Sequence, residues 1–385
     1  MKIYFQQNSI NTILKYEQHL QNLSSSNRWI FDKDALELQI NNWIDKLQWI
    51  KPYYAIKSNT SDKLLKIISN YENKIGLDTA SIQEVNIALK YTQKSNIIFT
   101  NPHTVPHEKK ELKKLLTEDV TIKVVDSMCE IIKLVEYNII PNKILVRINS
   151  NFNDANIKFD TKFGSTYLEA IEIINYGVLH NLPIKGITFH IGSGGVFSRE
   201  EAYRKVIQQS IPLLEYIKSI NKEIPILDIG GGLLHDTDLL EALGWTKDLP
   251  YTIIAEPGRY FSAPSFHLFT QVISKTKRGI FIDNGVYHEL NVYHRDHWNF
   301  PILTHFYENG VIYHINNDKD NEKQQHNYEN ITVFGPTCDS YDNIEKCNIP
   351  KDIQIGDWIF LDNMGAYTSA SKCDFNGILS ASSYN

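Results

Sequence analysis

The residues with the most chemistry to offer stand at the ends of short apolar runs. Lys57 closes the run Tyr53-Tyr54-Ala55-Ile56-Lys57. An amine leaving an apolar strand there is less hydrated than on an open surface, as imine formation with a carbonyl cofactor requires. Gly230-Gly231-Gly232 follows Ile226-Leu227-Asp228-Ile229, and so bare a backbone can turn several N–H groups toward a phosphate. Ile253-Ile254-Ala255-Glu256-Pro257-Gly258-Arg259 puts a carboxylate and a guanidinium at another strand end. In Ile187-Thr188-Phe189-His190-Ile191-Gly192-Ser193-Gly194, an imidazole could stack on a cofactor ring and the Ser193 hydroxyl could reach a phosphate. Each feature alone has a plainer reading: a snorkelling lysine, a tight turn, a local ion pair, a structural histidine. On one rim they suggest pyridoxal phosphate, with the lysine as imine partner, loops around the phosphate, and an acid keeping the ring nitrogen protonated.

Eight β-branched or aromatic runs, each followed by a helical pattern, are needed to place those residues together. They are Tyr53–Lys57, Ile75–Asp78, Ile97–Asn101, Ile122–Asp126, Ile144–Ile148, Ile184–Ile191, Ile226–Gly230 and Thr252–Glu256. Eight strand–helix units close into a (β/α)8 TIM-like barrel or form an open doubly wound sheet, and the count favours the barrel. Ligands collect at the carboxyl ends of such strands, here Lys57, Asp78, Asn101, Asp126, Arg147, His190, Gly230 and Glu256. Between the runs, Ser127 followed by Glu130 three residues on signals a capped helix start. After about Phe261 the rhythm becomes alternating, with strand-like stretches at Phe266–Ser274, Gly279–Ile282, Asn330–Phe334 and Asp357–Leu361. The sequence thus predicts an α/β protein with a barrel over residues 33–263 and a second, mostly β domain from residues 264–385 joined by residues 1–32. The charged stretch 316–330 reads as a solvated loop.

The 385 residues suffice for two or three domains. A net charge of −6 with no basic block argues against nucleic acid or anionic membrane as partner. No apolar stretch nears bilayer length, and the N-terminus lacks a secretory pattern. Cys129, Cys338, Cys347 and Cys373 are widely spaced, which fits neither a zinc site nor a disulfide framework, so a cytoplasmic protein is expected.

Seven ordered motifs resemble the fold-type III pyridoxal-phosphate decarboxylases, the ornithine, lysine, arginine and diaminopimelate decarboxylase family, whose barrel and β domain are alanine racemase-like. They are Tyr54-Ala55-Ile56-Lys57-Ser58-Asn59, Asp78-Thr79-Ala80-Ser81 with Glu84, Phe189-His190-Ile191-Gly192-Ser193-Gly194, Asp228-Ile229-Gly230-Gly231-Gly232, Ala255-Glu256-Pro257-Gly258-Arg259, Gly335-Pro336-Thr337-Cys338-Asp339-Ser340 and Met364-Gly365-Ala366-Tyr367-Thr368. The resemblance implies that Lys57 carries the cofactor, Glu256 pairs with the pyridine nitrogen and His190 stacks on the ring. It implies that Ser193, the turn Gly230-Gly231-Gly232, Gly258, Arg259 and Tyr367 hold the phosphate, and that Asp78 and Arg147 shape the surroundings of the lysine. Family members are homodimers with shared active sites, which would place Cys338, the expected proton donor, and Asp339 in the partner's site.

By the same resemblance, Asp296 and Asp339 would hold the distal ammonium of a basic amino acid, with L-ornithine or L-lysine the expected substrate, in polyamine biosynthesis. The Cys338-Asp339 pair favours this branch over diaminopimelate. Arg295 replaces a usual aromatic residue beside Asp296. It could neutralise that aspartate or bind a substrate carboxylate, which opens an alternative substrate: a larger or carboxylate-bearing amino-acid derivative in a specialised pathway. His288, Glu289, His294 and His297 have spacing that suits no common metal set, so no metal is expected. A non-catalytic regulatory homologue need not keep Lys57, Glu256, Arg259, Cys338 and Asp339 together, and this chain keeps all five. Racemase-like chemistry is disfavoured by the Cys338-Asp339 pair.

Overall fold

A computed structural model of the chain describes residues 1–24, 26–105, 109–151, 155, 161–193, 198–315 and 327–379. The chain divides into two compact units, Asp34–Ser262, and Met1–Lys33 with Ala263–Asn385. Strands β1 (Ile3–Phe5) and β2 (Trp29–Phe31) come first and belong to the second unit.

The first unit is built on β3 (Ile50–Ala55), β4 (Gly76–Thr79), β5 (Ile97–Phe99), β6 (Ile122–Val125), β7 (Ile144–Arg147), β8 (Ile184–Thr188), β9 (Ile226–Asp228) and β10 (Thr252–Ala255). Each pairs in parallel with the next, and β10 returns to β3 with Ile253 opposite Ile50, so the barrel closes. Tyr53, Ile98, Ile122, Val124, Leu145, Ile226 and Ile254 form one buried cluster. Strands on opposite walls can share a cluster only through the lumen, so the barrel has a packed core and not a pore. Burying each of those side chains contributes roughly 1.5–3 kcal/mol.

Alternation then turns Lys123, between Ile122 and Val124, to the outer face. It is fully buried there, its Nζ donating to the Asn101 carbonyl at 2.6 Å and lying 3.5 Å from Glu130 Oε1. Burial pushes the Lys123 amine down to about 8. This explains a departure at the helix Met128–Glu136. Ser127 caps it by accepting from the Glu130 N–H at 3.4 Å, but the Glu130 carboxylate does not reach back as a capping box would. It is engaged by Thr104, Lys123 and Lys133 instead.

Most strands stop short of the apolar run that marks them. The run ending at Lys57 yields a strand only to Ala55, with Lys57 on the 3-10 turn Ile56–Ser58. His190 and Glu256 likewise stand just past β8 and β10. Residues outside the ladder can aim their side chains where the sheet's alternation would not.

The second unit adds β11 (Phe266–Thr276), β12 (Gly279–Ile282), β13 (His305–Glu308), β14 (Val311–His314), β15 (Tyr328–Phe334), β16 (Asn343–Pro350) and β17 (Trp358–Leu361). Their sheet runs β14-β13-β1-β17-β11-β12-β15-β16, with β2 paired antiparallel to β11, Trp29 opposite Leu268. Strand β1, which the sequence does not announce, lies between β13 and β17. The solvated loop read over 316–330 is too long. Its residues 316–326 lie outside the described set, but Tyr328, Glu329 and Asn330 are in β15, opposite Pro350, Ile349 and Asn348. Among the described residues no helix is long and apolar enough to cross a membrane.

Candidate active site

Lys57 donates from Nζ to Asp78 Oδ2 at 3.1 Å, and Thr100 Oγ1 donates to Asp78 Oδ1 at 2.6 Å. Asp78 is buried in β4. Loss of hydration pushes its carboxyl up to about 6, against the pull of the Lys57 charge. The turn bearing Lys57 is fixed by the Tyr54 hydroxyl, which donates to the Asn59 carbonyl at 2.9 Å, and by the Ser58–Ser262 hydroxyl pair at 2.5 Å. Glu84 of the same motif works locally: Ser81 caps the helix Ile82–Ala88, and Glu84 accepts from the Ala80 N–H at 2.7 Å.

His190 accepts at Nδ1 from the Gly192 N–H at 2.9 Å, which leaves the ring proton on Nε2. Burial, reinforced by the charges of Arg147 and Lys57, holds His190 well below its ordinary 6.5, so the ring is neutral and suited to stacking. Gly230 has φ +64°, and a Cβ there would stand 2.2 Å from the Phe189 carbonyl. Gly231 must be bare for a different reason: a Cβ would sit 2.9 Å from the Glu256 carbonyl and 3.0 Å from His190 Nε2. Behind the turn, Tyr203 Oη donates to the Gly231 carbonyl at 2.9 Å and Arg199 Nε to the Gly232 carbonyl at 3.0 Å. Peptide oxygens that would repel an anion are thus engaged by the helix Arg199–Asn221. Asp228 Oδ1 accepts from the Gly230 N–H at 2.9 Å.

Glu256 donates its N–H to the Gly230 carbonyl at 2.8 Å, which ties the glycine turn to the end of β10. Burial and the neighbouring Asp228 push the Glu256 carboxyl well above the usual range, with Lys57 and Arg147 pulling the other way. Burial likewise raises Asp228 to about 6. Three buried carboxyls with raised proton affinity make a place that favours an added N–H donor. Arg259 is buried and opens the helix Arg259–Ser262, after Gly258, whose carbonyl accepts from Phe261 and Ser262. The Arg147 guanidinium lies 5.0 Å from the Phe163 ring centroid. Ser193 is half-buried, and Gly194 of its motif lies outside the described residues. The remaining rim residues are spent on structure: the Asn101 carbonyl holds Lys123, and Asp126 Oδ2 accepts from the Gly164 N–H at 3.1 Å.

The other named residues belong to the second unit. Cys338 is exposed, its N–H donating to Asn376 Oδ1 at 2.9 Å. Asp339 accepts from the Tyr287 hydroxyl and from the Tyr341 N–H, bonds that hold its carboxyl below the ordinary range and push Tyr287 up to about 12. Buried Asp342 organises their turn, accepting from the Val286 and Thr337 N–H groups at 2.8 and 3.0 Å. Asp296 is buried just after the helix Asn291–Arg295 and accepts from Arg295 Nε at 3.0 Å. The polar side chains nearby fasten backbone and neighbours. His288 Nε2 lies 3.0 Å from the Ile378 carbonyl and His294 Nε2 2.6 Å from the Asn343 carbonyl, while Glu289 accepts from Asn284 and Lys372. Among the described residues no three metal-ligating side chains gather into a site. Arg199 and Tyr203 support the glycine turn yet leave no local sequence signal, because Gly232 and Gly231 stand 33 and 28 residues further on, beyond a helix and strand β9.

Residues 33–263 match the family model described as the pyridoxal binding domain of pyridoxal-dependent decarboxylases. The ornithine decarboxylase of Candida albicans is 28% identical over 415 residues, covering 97% of this chain and 85% of that protein. The arginine decarboxylase of Paramecium bursaria Chlorella virus superposes with a TM-score of 0.82 at 26% identity, over 96% of this chain and 98% of that one. A mutant of SrLDC in complex with PLP gives 0.79 at 25% identity, over 95% and 93%. The residues at the barrel mouth fit that cofactor: a primary amine held by an acid, a turn with no room for a Cβ, and a buried carboxylate suited to a ring N–H. A match over the whole barrel, with neighbours of the same two-part architecture, places the chain in the pyridoxal-dependent decarboxylase family, as a pyridoxal-phosphate-dependent amino-acid decarboxylase.

Proposed function

We propose that the chain removes CO2 from a basic amino acid, L-ornithine or L-lysine, and releases the diamine. Pyridoxal phosphate, when bound, supplies the sink for the electron pair that CO2 leaves behind. Lys57 Nζ binds the cofactor and is set in place by Asp78; Glu256 holds the ring-nitrogen proton; neutral His190 presents its face to the ring. The turn Gly230-Gly231-Gly232, Ser193, Gly258, Arg259 and Tyr367 bind the phosphate, and Arg147 tunes the charge around Lys57 and Glu256. Cys338 Sγ delivers a proton to the α-carbon, while Asp339 and Asp296 hold the distal ammonium. In this reading the working form is a homodimer, with Cys338 and Asp339 serving the partner's site, and the protein acts in the cytoplasm.

The observation that carries the reading is Asp339: directly after Cys338, it is held as a carboxylate by two donors, which suits an ammonium. The ornithine decarboxylases among the relatives support it. A substrate carboxylate bound by Arg295 has less support, because Nε, Nη1 and Nη2 already donate to Asp296, Ser371 and Tyr367. The test is CO2 release by the cofactor-loaded protein on ornithine, lysine, arginine and diaminopimelate, with Lys57→Ala as the blank. Turnover of ornithine or lysine is expected. Silence on all basic amino acids, or release from diaminopimelate alone, would end the reading.

A further inference from the structure

Tyr367 sits at φ +61°, a left-handed conformation that a bulky residue keeps only where its surroundings impose it. Much of what imposes it comes from Arg295. Nη2 donates to the Tyr367 carbonyl at 3.2 Å, and Nη1 donates at 2.6 Å to Ser371 Oγ, which itself donates to that carbonyl. The guanidinium carbon lies 5.3 Å from the Tyr367 ring centroid, within cation–π range. The third nitrogen, Nε, donates to buried Asp296 at 3.0 Å. Asn291, on the same short helix, donates to the Thr368 carbonyl at 2.9 Å.

We propose that Arg295 is a positioning residue that clamps Tyr367 for the cofactor phosphate and fixes the orientation of Asp296 through Oδ1, and that it is not a substrate ligand. This rests on the reading of Tyr367 as a phosphate ligand. The geometry needs arginine: a planar fork serves carboxylate, hydroxyl and carbonyl at once and lies against the ring, whereas an ammonium reaches one of them well. The clamp acts on phosphate binding through Tyr367 and leaves the rest of cofactor recognition to the barrel residues.

The experiment is a titration of the cofactor-stripped full chain with pyridoxal phosphate and, separately, with pyridoxal, followed by the visible absorbance of the bound form. The proteins are wild type, Arg295→Met, Arg295→Lys, Tyr367→Phe and the double variant Arg295→Met/Tyr367→Phe. Arg295→Met is expected to weaken pyridoxal phosphate about tenfold and leave pyridoxal unchanged, with Arg295→Lys between it and wild type. The double variant is expected to bind no worse than Tyr367→Phe alone. Unchanged pyridoxal binding shows that the barrel of each variant is intact, and Arg295→Lys serves if the methionine variant does not fold. Wild-type affinity in Arg295→Met beside a weakened Tyr367→Phe overturns the clamp. Equal loss of both ligands overturns it too. Full phosphate affinity in Tyr367→Phe instead removes the underlying reading of Tyr367.

Discussion

Asp78→Asn should separate stability from catalysis. Asp78 is wholly buried and its carboxyl is raised from 3.8 to about 6, chiefly by lost hydration. Below pH 3.8 both folded and unfolded chains hold the proton. From there to about pH 6 only the folded chain holds it, so stability falls as pH rises; above that the whole cost is present. At about 1.4 kcal/mol for each tenfold in proton affinity, an ionised Asp78 costs the fold about 3 kcal/mol at neutral pH. Asparagine keeps an acceptor for Thr100 and carries no charge. The Tm of Asp78→Asn relative to wild type, in cofactor-stripped protein, should therefore rise between pH 4 and pH 7. At about 2–4 °C per kcal/mol for a unit of this size, the gain is roughly 6 °C or more. CO2 release by the loaded variant should collapse, because Lys57 loses the acid that holds it. A Tm difference that is constant with pH, or that turns against asparagine toward pH 7, would mean that ionising Asp78 does not cost the fold stability.

Three further outcomes follow from the geometry. Gly231→Ala must move the Glu256 carbonyl or His190, so pyridoxal phosphate affinity should fall at least about tenfold in an absorbance titration. Tyr287→Phe removes a donor that holds Asp339 ionised, so the acid limb of kcat/KM for a basic substrate should move to higher pH while its neutral-pH value holds. Cys338→Ala should slow turnover about 100-fold, as loss of a proton donor does. Mixed and reassorted with Lys57→Ala, it should recover about one quarter of wild-type activity if sites are shared across a homodimer, and none if each chain works alone.

Much of the barrel is legible in the sequence, because strands covered on both faces are continuous β-branched runs and the groups at their ends are ionisable. What the runs do not give is where the ladder stops. Lys57 and Glu256 leave the strand just before the apolar pattern ends, since their hydrogen bonds turn to a 3-10 turn and to Gly230. Strand β1 is hidden because its partners, β13 and β17, come about 300 and about 355 residues later. The capping box at Ser127 and Glu130 is half formed because a buried lysine outside the local pattern takes the carboxylate. Arg295 shows the same limit. Its type and its place beside Asp296 are plain, but its engagement of Tyr367, 72 residues on, is visible only in the fold.

Whether Lys57 binds the cofactor within this constellation is decided by borohydride reduction of the cofactor-loaded protein and peptide mass mapping. The pyridoxyl group is expected on Lys57, with none in Lys57→Ala and the visible band lost on reduction. A pyridoxyl group on another lysine, or a protein that binds the cofactor without any covalent link, would contradict that role for Lys57.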